Sequence, residues 1–370
     1  MYEEDEQRTI IIDIGTSQCK IGSNGEYGRP YIVPSCVGRE KPTSERSKFY
    51  WNMSDYYKNI NKNYSYPIQK GIINDFGALE ELFNNIFERE LYVSPNFCKL
   101  FITQPILSPL NKMEKLAKIM FEYGYGFNVP ALYIGNQAVL SLFSKGYSTG
   151  FSLESGEGIT QLVPVYDGFS LQHALEKFSL SGKDLNEYML SLLRNIDYRY
   201  SSSSEIGTAK LIKEKVCYVA ENYEKEKNKI ERSDFLLPDG SSIKIKDEII
   251  LCPEALFSPE IMGKGQEGIV DACYNSIQKC DDDLKSEMFG NIVLSGGNTN
   301  FKGFNNRFLL EMKKKVKGKF EIKIHDVEEK IEAVWKGANI LSMMPIMESY
   351  WVNKFEYEEY GNVILHRKFF

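Results

Sequence analysis

Apolar residues along this 370-residue chain fall into two recurring patterns. Short β-rich runs alternate with stretches in which apolar side chains return every three or four residues. The first pattern predicts strands, the second amphipathic helices. Residues 9–39 read as strands separated by glycine turns, ending near Pro34 and Gly38. Lys99–Pro105 and Ala131–Ile134 read as buried strands. Helices are predicted over Phe76–Glu90, with Asp75 as its cap, over Asn111–Tyr123 and over Asn136–Ser144. A fresh strand, Gly150–Leu153, opens the second half. Ser181–Asn195, Ala209–Tyr223 and Glu267–Asp281 then read as helices, and Leu237–Lys246 as a hairpin around Asp239-Gly240. Asn291–Gly297 reads as a buried strand. This alternation in both halves predicts an α/β protein with covered sheets. Residues 40–66 are rich in Lys, Ser, Asn and Tyr and lack a period, so they read as an excursion or small subdomain. No linker separates the halves, which makes Lys145–Gly150 the best hinge.

Two strand-turn-strand segments repeat one design about 140 residues apart. The first runs from Ile10 through Asp13-Ile-Gly15-Thr16-Ser17 to Lys20 and Gly22. The second runs from Gly150 through Glu154-Ser155-Gly156-Glu157-Gly158 to Thr160. Each carries an acid, then a small polar turn with glycine, then a second apolar run. Glycine permits close backbone approach, and successive turn N–H groups form a concave anion site. Lys20, seven residues after Asp13, can return beside the turn as a point charge for phosphate. The first segment alone is equally compatible with an ordinary surface hairpin, and the second alone favours one. Facing each other, the pair would grip one nucleotide's phosphates from both sides. A third glycine site, Ser295-Gly296-Gly297-Asn298 through Phe301 to Gly303, follows a strand and suits approach to a base or sugar.

Composition narrows the classes. Hydrophobic content of 42% and charged content of 26% are those of a soluble globular protein, and the length suffices for two domains. A net charge of −6 gives no general reason to expect nucleic-acid or membrane-surface binding. No apolar run approaches a membrane span, and the acidic N-terminus lacks the layout of a secretory signal. Seven scattered cysteines without a Cys-x-x-Cys pair fit free thiols. With three histidines, neither a structural zinc set nor a His-based triad can be assembled. Neither a P-loop nor a Gly-x-Gly-x-x-Gly motif occurs, so those nucleotide-binding readings lack their central element.

From Ile10 to Phe370 the sequence resembles the actin and actin-related protein family. The resemblance is carried by Asp13–Lys20, Tyr66–Gly71, Gln137–Phe143, Glu154–Gly158, Ser181–Asp184, Ile212–Ala220, Cys252–Phe257, Leu294–Gly297 and the closing Trp351–Tyr357 and His366–Phe370. Asn291–Phe304 is similar to the centractin branch, which forms the dynactin filament. The resemblance implies an actin-like ATPase fold, with two similar α/β domains (four subdomains) around a nucleotide cleft. The first domain would span 1–144 plus 333–370, with subdomain 2 at about 35–66. The second would span 145–332, with subdomain 3 at about 145–180 and 264–332 and subdomain 4 at about 181–263. The cofactors implied are ATP or ADP with Mg²⁺ (or Ca²⁺). Gly15, Thr16, Ser17 and Lys20 would hold the phosphates from one side, and Ser155, Gly156, Glu157 and Gly158 from the other. Asp13 and Glu154 would orient waters around the metal. Gly182, Lys213, Glu214, Gly296, Gly297, Asn298 and Phe301 would line the adenosine pocket, and Gln137 would orient the attacking water. Phe143, Gly146, Phe169, Ile340, Leu341, Met344 and Ile346 would line an apolar cleft for protein partners.

The departures bear on turnover and assembly. Glu154 and Glu157 stand where the family typically has Asp, moving each carboxylate by about one C–C bond, roughly 1.5 Å. Gln161 replaces a histidine that helps handle the attacking water, and an amide carries no proton near neutral pH. Misplacement by about 1 Å can cost about 100-fold in rate, so ATP binding with weak or absent hydrolysis is expected, at most a slow ATPase. Residues 39–66 are shorter than the family's segment, and Phe369 replaces its near-terminal cysteine. Long homopolymers are therefore not expected; short self-assembly remains. The leading reading is a cytoplasmic cytoskeletal or scaffold subunit, dynactin-like in one version. The alternatives are a nuclear chromatin-remodelling subunit and a divergent filament-forming actin. Neither direct nucleic-acid contact nor membrane insertion is expected.

Overall fold

Six strands form the first sheet, in the order Val352–Asn353, Ala131–Asn136, Lys99–Gln104, Thr9–Ile14, Gln18–Ser23 and Tyr31–Pro34. Thr9–Ile14 runs parallel to Lys99–Gln104 and antiparallel to Gln18–Ser23. The second sheet repeats that arrangement. Gly150–Ser155 runs antiparallel to Thr160–Tyr166 and parallel to Ile292–Ser295, with Ile324–His325 beyond. The structure is a computed structural model and describes residues 8–25, 28–39, 48–49, 64–122, 124, 126–196, 205–237 and 240–369. Apart from 48–49 and 64–66, the excursion expected over 40–66 lies outside the described residues.

The apolar runs explain the layers. Ile10, Ile11 and Ile12 are all buried, as are Leu100, Phe101 and Ile102, because helices cover both faces of the sheet. One core cluster draws on residues between Ile10 and Leu140 and between Val334 and Phe369. Another draws on Phe151 through Val316. A small third cluster joins Ala138, Val139 and Leu142 to Val163, Val165, Val293, Val327 and Ala333. There the helices Gln137–Phe143 and Ala333–Ser342 pack so closely that a Cβ on Gly337 would sit 1.7 Å from the Leu140 carbonyl oxygen. Only glycine allows that approach.

Several elements differ from expectation. The helix expected over Ala209–Tyr223 is Ile206–Val216. It stops because Tyr218 and Val219 extend alongside Lys302, whose carbonyl accepts from the Val219 N–H at 2.8 Å. Tertiary pairing overrides the helical spacing of Val219 and Ala220. The helix after Asp75 is α-helical over Phe76–Asn85 and becomes a π-helix over Ile86–Leu91, ending at Tyr92 with φ +53°. Asp75 does cap it, accepting from the Ala78 N–H at 3.0 Å. The hairpin expected from Leu237 pairs Ser233–Leu236 with Ser242–Ile245; Asp239 lies outside the described residues. No helix among the described residues is long and apolar enough to cross a membrane.

Candidate functional site: a cleft between two matched hairpins

The two hairpins place their acids at equivalent points. Asp13 is the fifth residue of Thr9–Ile14 and Glu154 the fifth of Gly150–Ser155. Across the hairpin Asp13 pairs with Lys20, and Glu154 with Gln161. On the parallel side the neighbours are Thr103 and Ser295. Sequence repetition has thus become a repetition of register, in which cross-strand neighbours share a face.

Asp13 is held from three sides. Thr103 Oγ1 donates to Oδ1 at 2.6 Å, Gln137 Nε2 donates to the same oxygen at 3.2 Å, and Lys20 Nζ lies 3.3 Å from Oδ2. Gln137 Nε2 also reaches Thr103 Oγ1 at 3.2 Å. On the other side, Gln161 Nε2 donates to Glu154 Oε2 at 2.9 Å, while Gln161 Oε1 accepts from the Ile106 N–H at 3.3 Å. Desolvation, followed by the nearby Asp13 charge, pushes the Glu154 carboxyl up to about 7. Glu157 accepts from Asn186 Nδ2 at 2.8 Å and lies 3.8 Å from Lys213 Nζ. Asn298 ties the second turn to the third glycine site, donating to Ser155 Oγ at 3.0 Å and to the Gly156 carbonyl at 2.9 Å.

The turns meet across a cavity of about 480 Å³. A Cβ on Gly158 would lie 2.2 Å from Thr16 Oγ1, so a side chain there would force the turns apart. The cavity wall includes Asp13, Gly15, Thr16, Ser17, Lys20, Gln137, Glu154, Gly156, Glu157, Gly158, Lys213, Glu214, Gly296, Gly297, Asn298 and Phe301. Three expected residues stand behind the wall. Ser155 bonds to Thr160, Gly182 packs on Glu157, and Gln161 is fully buried with both amide ends engaged. Asn300 and Lys302, within the third glycine segment, also line the cavity, as do Lys330 and Ile331, which escaped the sequence reading. Lys330 gave no motif: its Nζ donates to the Thr299 carbonyl at 2.8 Å, a contact between segments 31 residues apart. The same holds for Thr103, which reaches Asp13 only through parallel strand pairing.

A family model described as Actin matches residues 4–370. The chain belongs to the actin family. Its mixed sheets and flanking helices are the α/β arrangement of an actin-like fold. The actin family generally binds a nucleotide and a divalent cation, and the donor set of this actin-like cleft fits both. Two turns offer backbone N–H groups, Lys20 and Lys213 offer cationic groups, and two close carboxylates suit a hydrated hard cation. Among the described residues no cluster of three or more His, Cys, Asp or Glu could hold a metal directly.

The residues expected on a partner cleft divide. Phe169, Met344 and Ile346 are about half exposed, and Ile340 is exposed beside them in sequence. Phe143 is partly buried, with its ring against Gly168, and Gly146 is an exposed turn residue with φ +77°. Leu341, by contrast, is buried in the first core cluster, because it sits on the inward face of Ala333–Ser342.

Proposed function

We propose that the cleft binds ATP or ADP with Mg²⁺ (or Ca²⁺), and that this actin-like protein is a cytoskeletal or scaffold subunit with weak or absent hydrolysis. In this reading 1–144 with 333–370 form one domain, 145–332 the other, and nucleotide fixes their closure. The observation that carries it is the facing of Asp13 and Glu154, at matched strand positions, across one cavity walled by glycine turns. The bound cation would neutralise phosphate charge. Lys20 and the turn N–H groups would orient the phosphates, and Asp13 and Glu154 would accept from the cation's water shell.

Slow turnover is supported by Gln161, not by Gln137. Gln137 lines the cavity and commits its Nε2 to Asp13 and Thr103, leaving Oε1 as the acceptor for a water. Gln161 lies outside the cavity wall with its amide spent on Glu154 and Ile106, so it neither reaches nor relays a proton. The exposed Phe169, Ile340, Met344 and Ile346 support protein partners, dynactin-like or short self-assembly among them, and a cytoplasmic, cytoskeletal location. Calorimetry with Mg-ATP and Mg-ADP, followed by single-turnover hydrolysis, tests both halves of the reading. Uptake of nucleotide with hydrolysis at least about 100-fold slower than that of filamentous actin is expected. No uptake by folded protein sinks the first half, and actin-like hydrolysis sinks the second.

A further inference from the structure

One contact crosses the cleft through side chains alone. Lys210, on the helix Ile206–Val216 of the second half, is buried and donates from Nζ to Ser17 Oγ at 2.5 Å, 193 residues away in the chain. Ser17 closes the first glycine turn, and its carbonyl accepts from the Ser35 N–H at 3.0 Å, which fixes the position from which the hydroxyl is presented. On its own helix Lys210 lies 4.0 Å from Glu214, which lines the cavity. The ammonium's charge also acts on Cys36 of the first half. Burial pushes that thiol up to about 12 while Lys210 works against the shift.

Lys210 is therefore a peg from one half seated on Ser17 of the other. We propose that Lys210 and Ser17 form a latch that holds the cleft shut over its ligand and limits how fast that ligand leaves. The nucleotide itself rests on the function proposed above; the latch rests on the contact. A hydrogen bond from a charged donor is stronger than a neutral one, and weak screening in a buried site strengthens it further. This bond exists only while the halves are together, so opening must break it and return Lys210 to water. Lys210 and the Ser17 hydroxyl are positioning groups here, and the Ser17 N–H stays in place for a phosphate when the hydroxyl is removed.

Release of a fluorescent ADP analogue from wild type, Ser17→Ala, Lys210→Met and the double variant tests the latch. Each single variant should release about tenfold faster or more, and the double variant no faster than the quicker single. Multiplying effects in the double variant would mean that the two residues act on the ligand separately, and would overturn the latch. So would release from Ser17→Ala within twofold of wild type. Amide exchange in residues 15–17 and 156–158 without nucleotide is the independent readout. It should quicken in Ser17→Ala, a small change that spares the core, and unchanged exchange counts against the latch. Failure of wild type to bind nucleotide overturns the proposed function instead, and leaves the exchange measurement to decide the latch.

Discussion

Glu154→Gln separates the charge of the second acid from its shape. Burial and the Asp13 charge lift Glu154 from 4.5 to about 7, so the empty cleft at neutral pH holds that carboxyl about half protonated. A hydrated cation arriving between Asp13 and Glu154 favours the carboxylate and expels the proton. Wild type should then release about 0.9 proton from this group at pH 6, about 0.5 at pH 7 and about 0.1 at pH 8. Glu154→Gln keeps the size and an oxygen for the Gln161 amide, and should release none from this site. Calorimetry of Mg-ADP binding in buffers of different ionisation enthalpy counts the protons. The wild-type-minus-variant difference removes the nucleotide's own protonation. The same shift acts on stability. At this group the folded form binds more protons than the unfolded chain, so Glu154's contribution to stability is most favourable below about pH 4.5 and is lost as pH rises to about 7. The gap from 4.5 to about 7 corresponds to about 3 kcal/mol. Equal proton counts in the two proteins from pH 6 to 8 would refute the reasoning, because the cation would then not meet a protonated Glu154.

Two further outcomes follow from other contacts. Gly158→Ala puts a methyl 2.2 Å from Thr16 Oγ1, so the turns must separate; affinity for a fluorescent ADP analogue should fall about tenfold or more, and unchanged affinity would reveal slack between them. Arg307 holds buried Glu254 with two hydrogen bonds, at 2.9 and 3.2 Å, and donates to the Ala220 carbonyl at 2.7 Å. Arg307→Met should cost about 3–5 kcal/mol in denaturant unfolding, more at pH 8 than at pH 5, where the abandoned carboxyl can take a proton.

Strands and turns of the site were readable because their signals are local. Isoleucines 10–12 announce a strand buried on both faces, and the spacing from Asp13 to Lys20 announces a hairpin that pairs them. What escaped depends on partners far along the chain. Tyr218 and Val219 carry a helical period but extend because Lys302 offers them a carbonyl and a parallel neighbour. Leu341 shares the apolar character of Met344 and Ile346, and only the orientation of its helix sends it inward. Gln161 could be read as a missing proton carrier, but not as an amide engaged at both ends, since Ile106 reaches it from the turn after Lys99–Gln104. Lys330 and Lys210 looked like two lysines among many; distant partners, Thr299 for Lys330 and Ser17 for Lys210, distinguish them.

The contact of Gly337 with Leu140 ties the closing part of the chain back onto its first half, helix against helix with no side chain between. Through Ala138, Val139, Leu142 and Ala333 the same two helices feed an apolar knot with Val163, Val165, Val293 and Val327. A side chain at Gly337 would prise that pair apart and disturb the knot with it, so one missing Cβ serves two packing layers.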